Sequence, residues 1–209
     1  MKYQIISILI ITTVSVSTVK AQDTIMLMSG KRLIVSNAEV KTTPKGDTIV
    51  AYQLKNKQKK KSVSKIFSVS NGSSEQLFYS QEYEEDLTVS QMRNYLNGLA
   101  DFNQGFSWVA FAGGIASVAG AAAIPTIEIK GNVSGSIPVG VVVPFAYLGI
   151  ISNTGKSVAK LKKLKPDMSE DEYYITGAQA AIGRQRFRSG LFGVAAGGVL
   201  WIAASLISD

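Results

Sequence analysis

The chain has no cysteine and no histidine. Without cysteine there is no disulfide framework, no thiol nucleophile, no thiolate zinc site and no acylated cysteine of the lipoprotein type. Without histidine there is no Ser-His-Asp triad, no imidazole general base and no histidine-ligated metal. Charge is scarce as well. Only 18% of residues are charged, against about 25% in a soluble domain, which points toward a membrane. Negative charge is the scarcer sign: 15 Asp and Glu face 22 Lys and Arg, leaving +7.

The chain opens with a targeting pattern. In residues 1–21, Lys2 supplies a positive start, Ile5 to Val19 an apolar run, and Val19-Lys20-Ala21 a cleavage context before Gln22. This is the pattern of a secretory signal peptide. Cleaved or retained, it places the following residues outside the cytoplasm, because Lys2 holds the start inside. The expected location is a bacterial inner membrane with the N-terminal domain in the periplasm.

Residues 22–87 read as a small extracytoplasmic β domain. Short β-branched or alternating runs recur at 23–28, 33–40, 48–54, 63–69 and 77–79. Between them lie the turn signals Ser29-Gly30, Thr43-Pro44-Lys45-Gly46-Asp47 and Asn71-Gly72. Five short strands suit a small antiparallel β-barrel or a strongly bent sheet. The expected core is Ile25, Leu27, Leu33, Val40, Ile49, Tyr52, Ile66, Val69 and Leu77.

Lys55, Lys57, Lys59, Lys60 and Lys61 put five positive charges into seven residues. Such a run suits contact with an anionic surface. The plainer reading, and the one favoured, is a solvated hairpin end that discourages strand pairing. Nucleic acid is not an expected partner, since no aromatic residue interleaves with the lysines.

Residues 88–209 read as a helical membrane domain with an internal repeat at an offset of 79. Thr88, Gln91, Tyr95 and Gly98 recur as Asp167, Glu170, Tyr174 and Gly177. Both copies open with a capping-box pattern. Each then runs into an uncharged segment, residues 106–124 and 190–207. At ~1.5 Å per residue these reach ~27–28 Å, close to a bilayer's hydrocarbon core. A charge at the centre of such a helix costs ~2.5–3.5 kcal/mol on insertion scales, so its absence from both is informative.

Gly113, Ser117, Gly193 and Gly197 are the candidate helix-packing residues, because small residues four apart let backbones approach where lipid gives no hydrophobic drive. Trp108 and Trp201 would lie on one side of the membrane if the two helices were antiparallel. The apolar segment 137–152 contains Pro138, Gly140 and Pro144 and suits a re-entrant segment or a third span. Lys156, Lys160, Lys162, Lys163 and Lys165, with Arg184, Arg186 and Arg188, favour two crossings, which would put all eight in the cytoplasm. Three crossings are the alternative. The three arginines are candidate headgroup contacts.

Catalytic signatures are weak. Gly155-Lys156-Ser157 imitates the end of a phosphate loop, but Ile150 stands where the pattern needs glycine. The carboxylates at 82–86 and 170–172 lack identifiable catalytic partners, and the second cluster suits a helix start. No cofactor or metal is expected, and no enzymatic activity.

The segments Asp23-Thr-Ile-Met-Leu27, Val63-Ser-Lys-Ile-Phe67 and Met92-Arg-Asn-Tyr95-Leu-Asn-Gly98 resemble a group of uncharacterised Bacteroidota envelope proteins. The resemblance implies a small β domain followed by a membrane-helix hairpin, and no activity comes with it. The function expected is non-enzymatic: a membrane protein presenting a β interaction module to an envelope protein or polymer, or associating with itself. A small pore or transporter-accessory subunit is the alternative.

Overall fold

The computed structural model describes residues 22–103, 105–123, 126–129, 135–153, 165–168 and 170–208. The expected signal peptide and Gly155-Lys156-Ser157 lie outside them. The chain divides into two compact units. Arg32–Tyr79 and the strand ending at Leu27 form one; Ser80–Asp209 and the turn Met28–Lys31 form the other.

The first unit is a six-stranded antiparallel sheet: β1 (Asp23–Leu27), β2 (Arg32–Thr42), β3 (Thr48–Leu54), β4 (Lys57–Ser62), β5 (Ile66–Ser70) and β6 (Glu75–Leu77). The order is β4-β3-β2-β1-β5-β6. The expectation of a barrel is corrected here: the sheet is bent but not closed, and β4 and β6 are its edges. The bend lies in β2, whose first half pairs with β1 and whose second half pairs with β3. The register shifts between Ser36 and Glu39, and Asn37 takes a left-handed φ of 54° there. Such a bulge leaves a backbone N–H off the ladder. Asp23 satisfies it, its Oδ2 accepting from Ala38 N at 2.8 Å.

Ile25, Leu27, Val35, Val50, Tyr52 and Ile66 form the core, with Leu33, Ala38, Leu54, Val63, Val69 and Phe78 packed around it. Three expected core residues fall elsewhere. Val50 and Tyr52 share the inner face of β3, so Ile49 must point outward. Val40 follows the β2 bulge and Leu77 lies on the edge strand β6; both are exposed. Lys55-Asn56 makes the two-residue turn, both at positive φ, and so turns Lys57–Ser62 into a strand. Asn71-Gly72 instead belongs to a four-residue loop, where Asn71 Oδ1 accepts from Ser74 N.

The second unit contains α1 (Val89–Phe102), α2 (Trp108–Ala123), a hairpin of β7 (Thr126–Ile129) and β8 (Gly135–Pro138), α3 (Val139–Asn153) and α4 (Glu172–Ser208). At ~1.5 Å per residue, α4 is ~55 Å long. The expected capping box at Thr88 is present: Gln91 N donates to Thr88 Oγ1 and Thr88 N to Gln91 Oε1. The second expected box is not used. Residues 166–168 form a single 3-10 turn, and α4 is capped by Asp171, whose Oδ1 accepts from Tyr174 N at 2.8 Å.

The helix directions differ from a hairpin. Gln91 meets Tyr173, Ser107 meets Ser189, and Gly114 meets Gly190 and Val194. Residue numbers rise together on both sides, so α1 and α2 run parallel to α4. Tyr147 and Leu148 stand beside Ala110 and Gly190, near the start of α2. Because α3 itself begins after the hairpin that follows the end of α2, it runs back alongside both. Segment 137–152 is thus largely helix, continuous through Pro144. In this arrangement Trp108 and Trp201 lie at opposite ends of the apolar layer rather than on one side. They are separated by ~21 Å along the helix direction, and both are exposed.

Candidate functional site

Two features carry the chemistry, one in each unit. In the first unit, β2, β3 and β4 enclose an open groove of about 590 Å³ lined by Asn37, Glu39, Lys41, Ile49, Ala51, Tyr52, Gln53, Gln58, Lys59 and Lys60. Its position follows from register. Residues directly opposite on antiparallel strands share a face. Ala51 faces Glu39 on one side and Lys60 on the other, and Gln53 faces Gln58. The groove lies on this outer face. Tyr52 contributes from the inner face and is itself buried.

The groove's electrostatics are one-sided. Lys41 Nζ lies 2.8 Å from Glu39 Oε2, and this neighbour holds the Glu39 carboxyl below its usual range. None of Lys55, Lys57, Lys59, Lys60 and Lys61 forms an ion pair among the described residues. The structure places these candidates as follows. Lys55 is in the turn. Lys57, Lys59 and Lys61 oppose Leu54, Tyr52 and Val50, while Lys60 opposes Ala51 and faces the groove. Reading the sequence missed that this run is itself a strand. The available signal was Asn56, which tolerates positive φ and completes a two-residue turn.

In the second unit the repeat is visible as structure. A Cβ built on Gly98 would run into the Tyr174 carbonyl oxygen and stand 2.8 Å from Ala178 N; one on Gly177 would run into the Tyr95 carbonyl oxygen and stand 3.1 Å from Leu99 N. The two Tyr-x-x-Gly elements thus contact each other reciprocally. The same reciprocity returns farther along: Gly114 meets the Gly190 carbonyl oxygen, and Gly193 meets that of Phe111. Both pairs keep the offset of 79, so Gly114 corresponds to Gly193. α1–α2 and α4 are related by a local two-fold running along the helices.

Of the candidate packing residues, Gly193 and Gly197 lie against α2, with an added Cβ at Gly197 3.0 Å from Val118 Cβ. Gly113 faces the ring of Tyr147 on α3, whose hydroxyl donates to Ala110 O at 2.8 Å. Ser117 donates to Gly114 O within its own helix.

Polar contacts flank the first crossing. Gln91 Nε2 donates to Tyr173 OH, Asn94 Nδ2 to Asp171 Oδ2, and Tyr174 OH to Asp101 Oδ2 at 2.9 Å. Lys165 Nζ lies 3.8 Å from Asp101 Oδ2. Ser107 caps α2 with its hydroxyl, which accepts from Ala110 N, while its own N–H donates to the buried Ser189 Oγ.

Past this point polar side chains give way to apolar ones. Val199, Leu200, Trp201, Ile202, Leu206 and Ile207 are all exposed. Within Glu172–Ile207, the most apolar window of α4 is only 17% buried. By length and composition α4 is able to cross a membrane. Arg184 and Arg188 share one face of α4 and Arg186 the opposite one, at 100° per residue. They form a collar just before the apolar half, with Arg188 5.9 Å from the ring centroid of Phe192. No cluster of acidic side chains able to hold a metal occurs among the described residues. Comparison with protein-family models, curated proteins and solved structures finds no match for this chain.

Proposed function

We propose that the protein is a non-enzymatic integral membrane protein. In this reading α2, α3 and the apolar half of α4 cross the bilayer and the bent sheet serves as an extracytoplasmic binding module. The observation that carries it is the exposed apolar surface of α4. In water, a row of large apolar side chains this long is a liability that a partner or lipid must cover. Lipid fits, because α2 and α4 approach closely at Gly114, Gly193 and Gly197 while large side chains such as Val199, Leu200 and Trp201 face outward. Trp108 and Trp201 then mark the two interfaces, and the arginine collar meets headgroups.

Parallel α2 and α4 require α3 to return, giving three crossings in place of two. The basic residues between 156 and 188 then fall on the same side as α1. The positive-inside bias opposes an outward position for them. The N-terminal signal favours it, and the first apolar segment usually dominates orientation. We follow the signal: module in the periplasm of a bacterial inner membrane, Ser208 toward the cytoplasm. α2 and α3, at 16 and 15 residues, are short for a full span and draw the bilayer thinner around them.

Carbonate washing of membranes from cells making the full chain tests the reading. The chain is expected to stay in the pellet and to need detergent for release. Release by carbonate alone, with the protein monodisperse in plain buffer, refutes it.

A further inference from the structure

β4 ends the sheet, so one of its two ladders has no strand beside it among the described residues. Natural edges are often blunted by charged side chains, lysine above all. Here four of six residues are Lys, on both faces of the strand. The carboxylate of the groove, Glu39, is already engaged by Lys41. The edge therefore keeps positive charge that no ion pair among the described residues neutralises. Beside it the groove offers the amides of Asn37, Gln53 and Gln58 above an apolar floor of Ile49 and Ala51. Its single ring, Tyr52, is buried and gives no flat face for a sugar to stack on.

We infer that the free edge of β4 takes up an extended acidic peptide as an added strand. The peptide backbone completes the open ladder. Side chains of an added strand alternate between faces. Its carboxylates on one face meet Lys57, Lys59 and Lys61, and those on the other meet Lys60 at the groove. Main-chain bonds supply affinity and the alternating lysines supply selection for acid. This rests on reading the sheet as a binding module, and it names the class of partner.

The test uses the full chain in maltoside micelles and a fluorescein-labelled dodecapeptide repeating Glu-Glu-Thr-Thr, which puts carboxylates on both faces of an added strand. Saturable anisotropy is expected, weakening about tenfold for the pair Lys59→Glu and Lys60→Glu and weakening also as salt is raised. Lys59→Gln with Lys60→Gln should lose less. The same peptide with its backbone amides N-methylated keeps every carboxylate and is expected not to bind.

Three results would overturn the inference: no saturable binding by a chain whose circular dichroism shows it folded; equal binding of the N-methylated peptide, which marks mere polyanion contact; or binding of dextran sulfate but not of the peptide. Failure of the membrane reading would show separately, as a chain soluble without detergent, and would leave these outcomes legible.

Discussion

Replacing Gly98 by alanine probes the close helix crossing most directly. In an open helical position Gly→Ala stabilises by up to ~1 kcal/mol. Gly198 is such a position, with nothing within 4 Å of an added Cβ. At Gly98 the methyl meets backbone: the Tyr174 carbonyl oxygen, and Ala178 N at 2.8 Å. Backbone atoms cannot swing aside as a side chain does, so α1 and α4 must separate. Overpacking of this kind costs ~1–3 kcal/mol. The expected gap in stability between Gly98→Ala and Gly198→Ala is therefore ~2–4 kcal/mol. Gly177→Ala should behave like Gly98→Ala. The double variant should lose less than the two losses added, because one separation relieves both clashes. Gly98→Ala with Gly193→Ala should add, since these sites lie ~24 Å apart along the helices. Thermal unfolding of the micelle-bound chain, followed by circular dichroism, reads all of these variants, with Gly193→Ala alone for comparison. If Gly98→Ala melted with Gly198→Ala, the reciprocal contact and the parallel register built on it would be wrong.

Other outcomes follow from single contacts. Asp23→Ala frees the Ala38 N–H at the β2 bulge and should cost ~1.5–3 kcal/mol, as for a hydrogen bond to a charged group, read by chemical denaturation. Tyr174→Phe removes the bond to Asp101 from a side chain only 1% exposed. It should lower stability by ~1–2 kcal/mol without changing helix content. Reconstituted into liposomes, the chain should carry no ion flux; a conductance that disappears on Gly193→Ala would favour the pore reading instead.

The strands of the sheet and the helices were legible to different depths. Alternation found β1, β2, β3 and β5, because half-buried strands must repeat every second residue. It failed at β4, where lysine on both faces hides any period, and at Val40, which shares the face of buried Val50 yet is itself exposed. The repeat was visible through Tyr95-x-x-Gly98 and Tyr174-x-x-Gly177, and the structure shows why the glycines are needed: each makes room for a backbone carbonyl of the other copy. Helix direction was not legible. Charge and length describe each segment separately, and only side-by-side contacts such as Ser107 with Ser189 show that α2 and α4 rise together. The segment around Pro144 read as re-entrant or a third span because proline disrupts an isolated helix; packed beside α2 and α4, α3 continues through it.

The absence of native cysteine makes the decisive measurement clean. Single-cysteine variants Ser73→Cys, Lys163→Cys and Asp209→Cys can be labelled in spheroplasts with a membrane-impermeant maleimide and again after permeabilisation. Three crossings with parallel α2 and α4 predict that positions 73 and 163 react from outside and that 209 reacts only after the membrane is opened. Labelling of 73 and 209 from outside with 163 protected would restore the two-crossing hairpin and contradict the parallel arrangement.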